Sequence, residues 1–221
     1  MANIFSSSIG KKLIMSITGL FLVVFMLLHV TINLLILVSE DVYNEACRFM
    51  DTNILIQIMV PILALGFIIH ILYAFIITLK NQKARPVKYA MSNTGKASTW
   101  GSRNMFVLGL IIVGFLVIHL IQFWAKMQLA HFIDGHGHEN PYLLVIGILS
   151  QPLYAAIYLV WFWALWYHLT HGFWSGLQTL GVNNTKWIKR WQCIAKIYAT
   201  VVCIGFAIIP LYLLAQRYIL S

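Results

Sequence analysis

Between Val160 and Gly176 the chain reads VWFWALWYHLTHGFWSG. The run is apolar and aromatic, and long enough to be most of a membrane-spanning helix. It nevertheless carries two histidines, His168 and His171. A titratable side chain at membrane depth is expensive and marks a functional site by default. Three other apolar runs each hold one deeply placed histidine: His29, His70 and His119. Whether His168 has partners among them decides how the chain is organised.

Composition sets the class. The 221 residues are 61% hydrophobic and 10% charged, with a mean hydropathy of +0.83. A soluble domain carries roughly 25% charged residues, so this is a membrane protein on composition alone. The apolar mass sits in helix-length runs, which predicts one all-α bundle over 1–221 and no soluble domain. The formal charge of +9 is spread over short segments between apolar runs. Those residues are topology signals, and a nucleic-acid partner is not expected. Cys47, Cys193 and Cys203 show neither CxxC nor CxxCH spacing, so neither a disulfide framework nor a covalently attached haem is supported. The first apolar run is too long for a signal-peptide core and is read as retained.

Five spans are expected, at about 13–38, 54–79, 105–129, 142–178 and 191–214, each near the ~20 residues a bilayer needs. The fourth is overlong, so its start is a candidate interfacial turn near Gln151 and Pro152. Lys11 and Lys12 precede the first span. Lys80, Lys83, Arg85, Lys88, Lys96 and Arg103 fill the second loop, and Lys186, Lys189 and Arg190 the fourth. Every acidic residue (Glu40, Asp41, Glu45, Asp51, Asp134, Glu139) falls in the first or third loop. This bias predicts a cytoplasmic N-terminus and an external C-terminus.

Depth follows from the helical rise of ~1.5 Å per residue. His29 lies 17 residues beyond Lys12 and His119 lies 16 beyond Arg103, which puts both ~25 Å from the inner face. His70 precedes Lys80 by ten residues and His168 precedes Gln178 by ten, or ~15 Å from that face. The histidines thus fall into an outer pair, His29 with His119, and an inner pair, His70 with His168.

Paired imidazoles at two depths suit haem. Haem iron takes axial ligands above and below the ring, and helical bundles supply them from facing helices. One histidine per helix and two helices per haem give two haems on four helices. A tetrahedral zinc would need its ligands to converge on one point. Gly66, Gly114 and Gly172, near His70, His119 and His168, would admit a flat ring or simply allow close helix packing. His171 sits on nearly the same face as His168. It is a candidate replacement ligand, a propionate contact or a hydrogen-bonding group within the bundle, with His168 preferred as the ligand. Ser16, Lys12, Arg103 and Lys196 are candidate propionate donors; the basic ones equally suit snorkelling to lipid headgroups. The loop HFIDGHGHEN, with His131, Asp134, His136, His138 and Glu139, has the composition of a metal tract, but its glycines favour a solvated loop. Tyr43, Glu45, Arg48, Asp51 and Asn53 lie near the outer pair, where carboxylates would accept protons from an oxidised quinol; residue by residue, ordinary solvated loop charge is the favoured reading.

The chain resembles the cytochrome b membrane anchors of succinate dehydrogenases and fumarate reductases, of the single-chain, five-helix, di-haem kind. The resemblance covers nearly the whole length. It is carried by FLVVFMLLHV around His29, YNEACRFMD after the first span, IIHILYAF around His70, FLVIHL around His119 and YHLTHGFWSGLQTLG around His168. The family pattern puts a ligand histidine four residues before a glycine in the fourth span, which selects His168 before Gly172. It also joins the first and third spans on one haem b and the second and fourth on the other. The resemblance implies a flavoprotein with covalent FAD and an iron–sulfur subunit, both docked on the cytoplasmic side of a bacterial inner membrane. It implies electron transfer between these and a membrane quinone, menaquinone by the di-haem type, as part of the tricarboxylic acid cycle or anaerobic respiration. It implies a quinone-site carboxylate after the first span, here Asp51 or Glu45. The chain itself would hold no dicarboxylate site. Trp166 stands where some members carry a proton-conducting glutamate, which puts that path in doubt. The rivals are a cytochrome b subunit of a hydrogenase or formate dehydrogenase, and a haem-free transporter using the histidines as a proton relay.

Overall fold

The computed structural model describes residues 7–84, 100–130, 133, 140–182 and 184–219. Arg85, Lys88 and Lys96 lie outside these, as do the candidate metal-tract residues His131, Asp134, His136, His138 and Glu139. The described residues form helices and no strand. The helices are α1 (Ser8–Leu34, extended by a 3-10 turn Leu35–Leu37), α2 (Glu40–Thr52), α3 (Ile54–Lys83), the short α4 (Trp100–Arg103), α5 (Met105–His119), α6 (Pro141–Leu149), α7 (Pro152–Thr179) and α8 (Trp187–Tyr218). Beyond His119, α5 continues in π-helical form over Leu120–Leu129. Five stretches are long and apolar enough to cross a membrane: Ser8–Leu37, Ile54–Lys83, Met105–Leu129, Pro152–Thr179 and Trp187–Tyr218.

Local chemistry explains the boundaries. Ser7, Ser39, Asn53 and Asn140 cap α1, α2, α3 and α6 through side-chain oxygens that accept backbone N–H groups. The expected run over 142–178 is divided at Ser150 and Gln151. Pro152 opens α7 at its first position, where proline has no hydrogen bond to lose, and α6 becomes a separate helix. α7 ends in a Schellman turn: Gly181 takes a φ of 80°, and Val182 N–H bonds back to the Leu177 carbonyl.

α1 packs along α3 on one side and α7 on the other, and α5 packs along α7. α1 therefore faces α5 across the bundle, and α3 faces α7. α8 lies outside this square against α7 and α1. Its buried line runs through Ala195, Ala199, Val202, Phe206, Ile209 and Leu213, while Ile194, Ile197, Val201, Ile204, Ile208 and Leu211 form an exposed apolar stripe. An exposed apolar stripe opposite a packed face suits a lipid-facing helix. α2 and α6 close the acidic end: Asn44 Nδ2 donates to Asn140 Oδ1 at 3.0 Å, and Asn140 Nδ2 donates to Glu40 at 2.5 Å.

The closest approach of α8 to α1 depends on Gly205, where an added Cβ would lie 2.7 Å from Val30 Cγ2. Gly205→Val is expected to destabilise the protein by about 1–3 kcal/mol through overpacking, read as a lowered Tm in detergent. Gly147→Ala, with no neighbour within 4 Å of its added Cβ, is expected to leave Tm unchanged or raised.

Candidate functional site

The four membrane-depth histidines meet in two pairs, each across a diagonal of the bundle. His29 on α1 and His119 on α5 have ring centroids 5.8 Å apart with an interplanar angle of 87°. His70 on α3 and His168 on α7 are 6.3 Å apart at 71°. Two in-line metal–nitrogen bonds of about 2.0 Å between facing imidazoles put the centroids about 6 Å apart. A direct N–H···N hydrogen bond would draw the rings to about 5 Å. The spacing of both pairs fits one metal between each. Among the described residues, no group of three or more His, Cys, Asp or Glu side chains is placed to hold a metal ion.

The surroundings of the pairs differ. The His29/His119 pair is walled by aromatic rings: Phe25 stacks on His29 at 5.2 Å and Phe206 tilts against it, while Phe123 and Trp161 lie 5.3 and 5.5 Å from His119. The His70/His168 pair is lined by glycines. A Cβ on Gly19 would lie 3.1 Å from His70 Cε1, and one on Gly109 would lie 3.9 Å from His168 Cε1. Gly66 instead packs on Phe21 and Gly172 on Met105, and Gly114 has no neighbour within 4 Å. Of the three glycines expected beside the histidines, none touches one. Gly19 and Gly109 do, and only the facing helices reveal this.

Apolar surroundings and paired imidazoles at this spacing suit a porphyrin. His119 Nδ1 and His168 Nδ1 are buried with no hydrogen-bond partner, so these rings are not explained by a polar contact within the bundle. The fit is less complete at His29. Its Nδ1 faces Asn33 Nδ2 at 3.4 Å, and that amide already donates to the His29 carbonyl at 2.8 Å. A donor there does not accept the N–H that an Nε2-ligating histidine carries.

His171 is half-buried, with its ring edge-on to Trp174 at 5.1 Å and its Nδ1 unpartnered. Ser16 is buried, but its hydroxyl donates to the Lys12 carbonyl at 2.9 Å. Its one proton is spent on the helix, so it would have to break that bond to donate to a carboxylate. Arg103, Lys12 and Lys196 are exposed. Lys11, only 9% exposed, lies against Lys80, so two ammonium groups converge at the basic end.

At the acidic end, Glu45 is exposed and bound by Arg48 at 2.6 and 2.8 Å. This surface pair leaves Glu45 facing solvent, and it holds the Arg48 guanidinium above its ordinary pKa. Asp51 is half-buried near Cys47. Beside it a polar chain enters the bundle: Gln57 Nε2 donates to the Met50 carbonyl at 2.9 Å, and Gln128 Nε2 donates to Gln57 Oε1 at 3.1 Å. Tyr158 donates to Gln122 at 2.9 Å. These glutamines sit in apolar runs and were not distinguished by sequence pattern. Gln122 and Gln128 belong to the π-helical stretch, a form common at functional sites. Comparison of the chain with protein-family models, curated proteins and solved structures finds no match.

Burial pushes the Cys47 thiol up to about 11, and Asp51 adds to the rise. At pH 8 such a thiol carries about a hundredfold less thiolate than one near 9. Cys47 is therefore expected to react with maleimide more than tenfold more slowly in the folded protein than after denaturation. Equal rates before and after denaturation would show that α2 does not stay packed.

Proposed function

We propose that the chain is a di-haem cytochrome b that anchors a succinate:quinone oxidoreductase, a succinate dehydrogenase or fumarate reductase, in the bacterial cytoplasmic membrane. The observation that carries the haem reading is the pair of cross-bundle imidazole contacts, each at the spacing of a shared metal. The choice of enzyme complex rests on the sequence resemblance around His29, His70, His119 and His168. When bound, haem iron supplies one-electron redox chemistry.

The chain's own residues hold and orient. His29 and His119 would grip one haem b from α1 and α5, and His70 and His168 the other from α3 and α7. The aromatic wall at the first pair would shield the rings from water, and the glycines at the second would let a flat ring approach the backbone. Lys11, Lys80 and Arg103 would place positive charge at the basic end, facing propionates and the docked iron–sulfur and flavoprotein subunits. Asp51, Gln57 and Gln128 would meet a quinone, menaquinone by the resemblance, at the acidic end. Asp51 is the better placed of the two carboxylates, because it is half-buried whereas Glu45 is exposed to solvent. Electrons would pass between the iron–sulfur subunit and quinone along the two pairs.

Purified full chain is expected to yield two haem b per polypeptide by pyridine haemochrome assay. Replacing His70 or His168 by alanine is expected to halve that ratio, as is replacing His29 or His119. Retention of both haems in His168→Ala would contradict the assignment, and a colourless wild-type protein would favour the proton-relay transporter. Co-purification with hydrogenase or formate dehydrogenase subunits, in place of a flavoprotein, would redirect the choice of complex.

A further inference from the structure

We infer that Thr18, on α1, is a positioning residue that, together with the Met15 carbonyl, sets which nitrogen of His70 faces His168. The inference rests on the haem reading above. A threonine hydroxyl has one proton to give. Thr18 Oγ1 lies 2.8 Å from the Ile14 carbonyl and 3.2 Å from the Met15 carbonyl, and donates to the backbone of its own helix. Towards His70 Nδ1, 3.4 Å away, the hydroxyl therefore acts as an acceptor. The Met15 carbonyl of the same turn also accepts from His70, so α1 presents acceptors to the ring: Nδ1 carries the ring proton, and the Nε2 lone pair is left for a metal.

The next residue completes the seat. A Cβ on Gly19 would lie 3.1 Å from His70 Cε1, closer than most real contacts, so a larger residue there would push the ring back from α1 by a few tenths of an ångström. The other three histidines lack this arrangement: Nδ1 of His119 and of His168 has no partner, and Nδ1 of His29 faces an amide donor. Thr18–Gly19 is a two-residue cradle on a helix that supplies no ligand to the His70/His168 pair.

An N–H that donates to an oxygen makes imidazole a more basic metal ligand, fixes its tautomer and favours the oxidised metal. Thr18 therefore lowers the reduction potential of one haem, the one held by His70 and His168. Thr18→Val keeps the shape and removes the hydroxyl; Thr18→Ser restores it. The test is a spectroelectrochemical titration of the purified full chain, with haem counted per polypeptide. In Thr18→Val, one of two haems is expected to move to higher potential or to be lost, the other is expected to stay at its wild-type potential, and Thr18→Ser is expected to return to wild type. Two unshifted haems in Thr18→Val would overturn the inference, as would an equal shift of both or a failure of serine to restore. A wild-type chain without haem would instead overturn the functional reading on which it depends, and the two failures are told apart by the wild-type spectrum alone.

Discussion

An imidazole inside hydrocarbon must find a partner, because no water is there to satisfy it. The bundle uses one arrangement twice: two rings from diagonal helices are brought together edge-on at its centre, while neighbouring helices carry the packing. α1 and α7 do most of that packing, against each other, against α8 and against α3 or α5. The diagonals are left to side chains, and the side chains there are histidines.

The two levels solve the same problem with different materials. Aromatic rings close the His29/His119 level: Phe25, Phe123, Trp161 and Phe206 fill space with broad apolar faces. Missing side chains open the His70/His168 level, where Gly19 and Gly109 let the rings lie against backbone. α8 contributes Phe206 to the aromatic wall and no ligand. Its tie to α1 is both steric, at Gly205, and polar, through the Tyr198 hydroxyl donating to the Val23 carbonyl.

Much of this architecture is legible in the residues. Helix-length apolar runs give the five spans. Counting from Lys12, Arg103, Lys80 and Gln178 sorts the histidines by depth into the same two pairs that meet in the structure. What ligates them is a separate question, which depth does not answer. The rotation of each helix about its axis is not legible, so Gly19 and Gly109 go unnoticed, and Gly66 and Gly172 serve close helix packing, the second of the two roles expected of them. α2 reads as a loop because Glu40, Asp41, Glu45, Arg48 and Asp51 dominate it. Its apolar stripe of Tyr43, Cys47 and Met50 has helical spacing but is short. The break before Pro152 is visible only as excess length, since α6 and α7 are equally apolar. The hydroxyl of Thr18 is unremarkable until His70 is set beside it.

The central claim, iron held between each imidazole pair, is tested most directly by low-temperature electron paramagnetic resonance of the oxidised, purified chain. The account predicts two low-spin ferric centres, each with two nitrogen axial ligands. A spectrum without low-spin iron, or with iron whose axial position is open and high-spin, would contradict it.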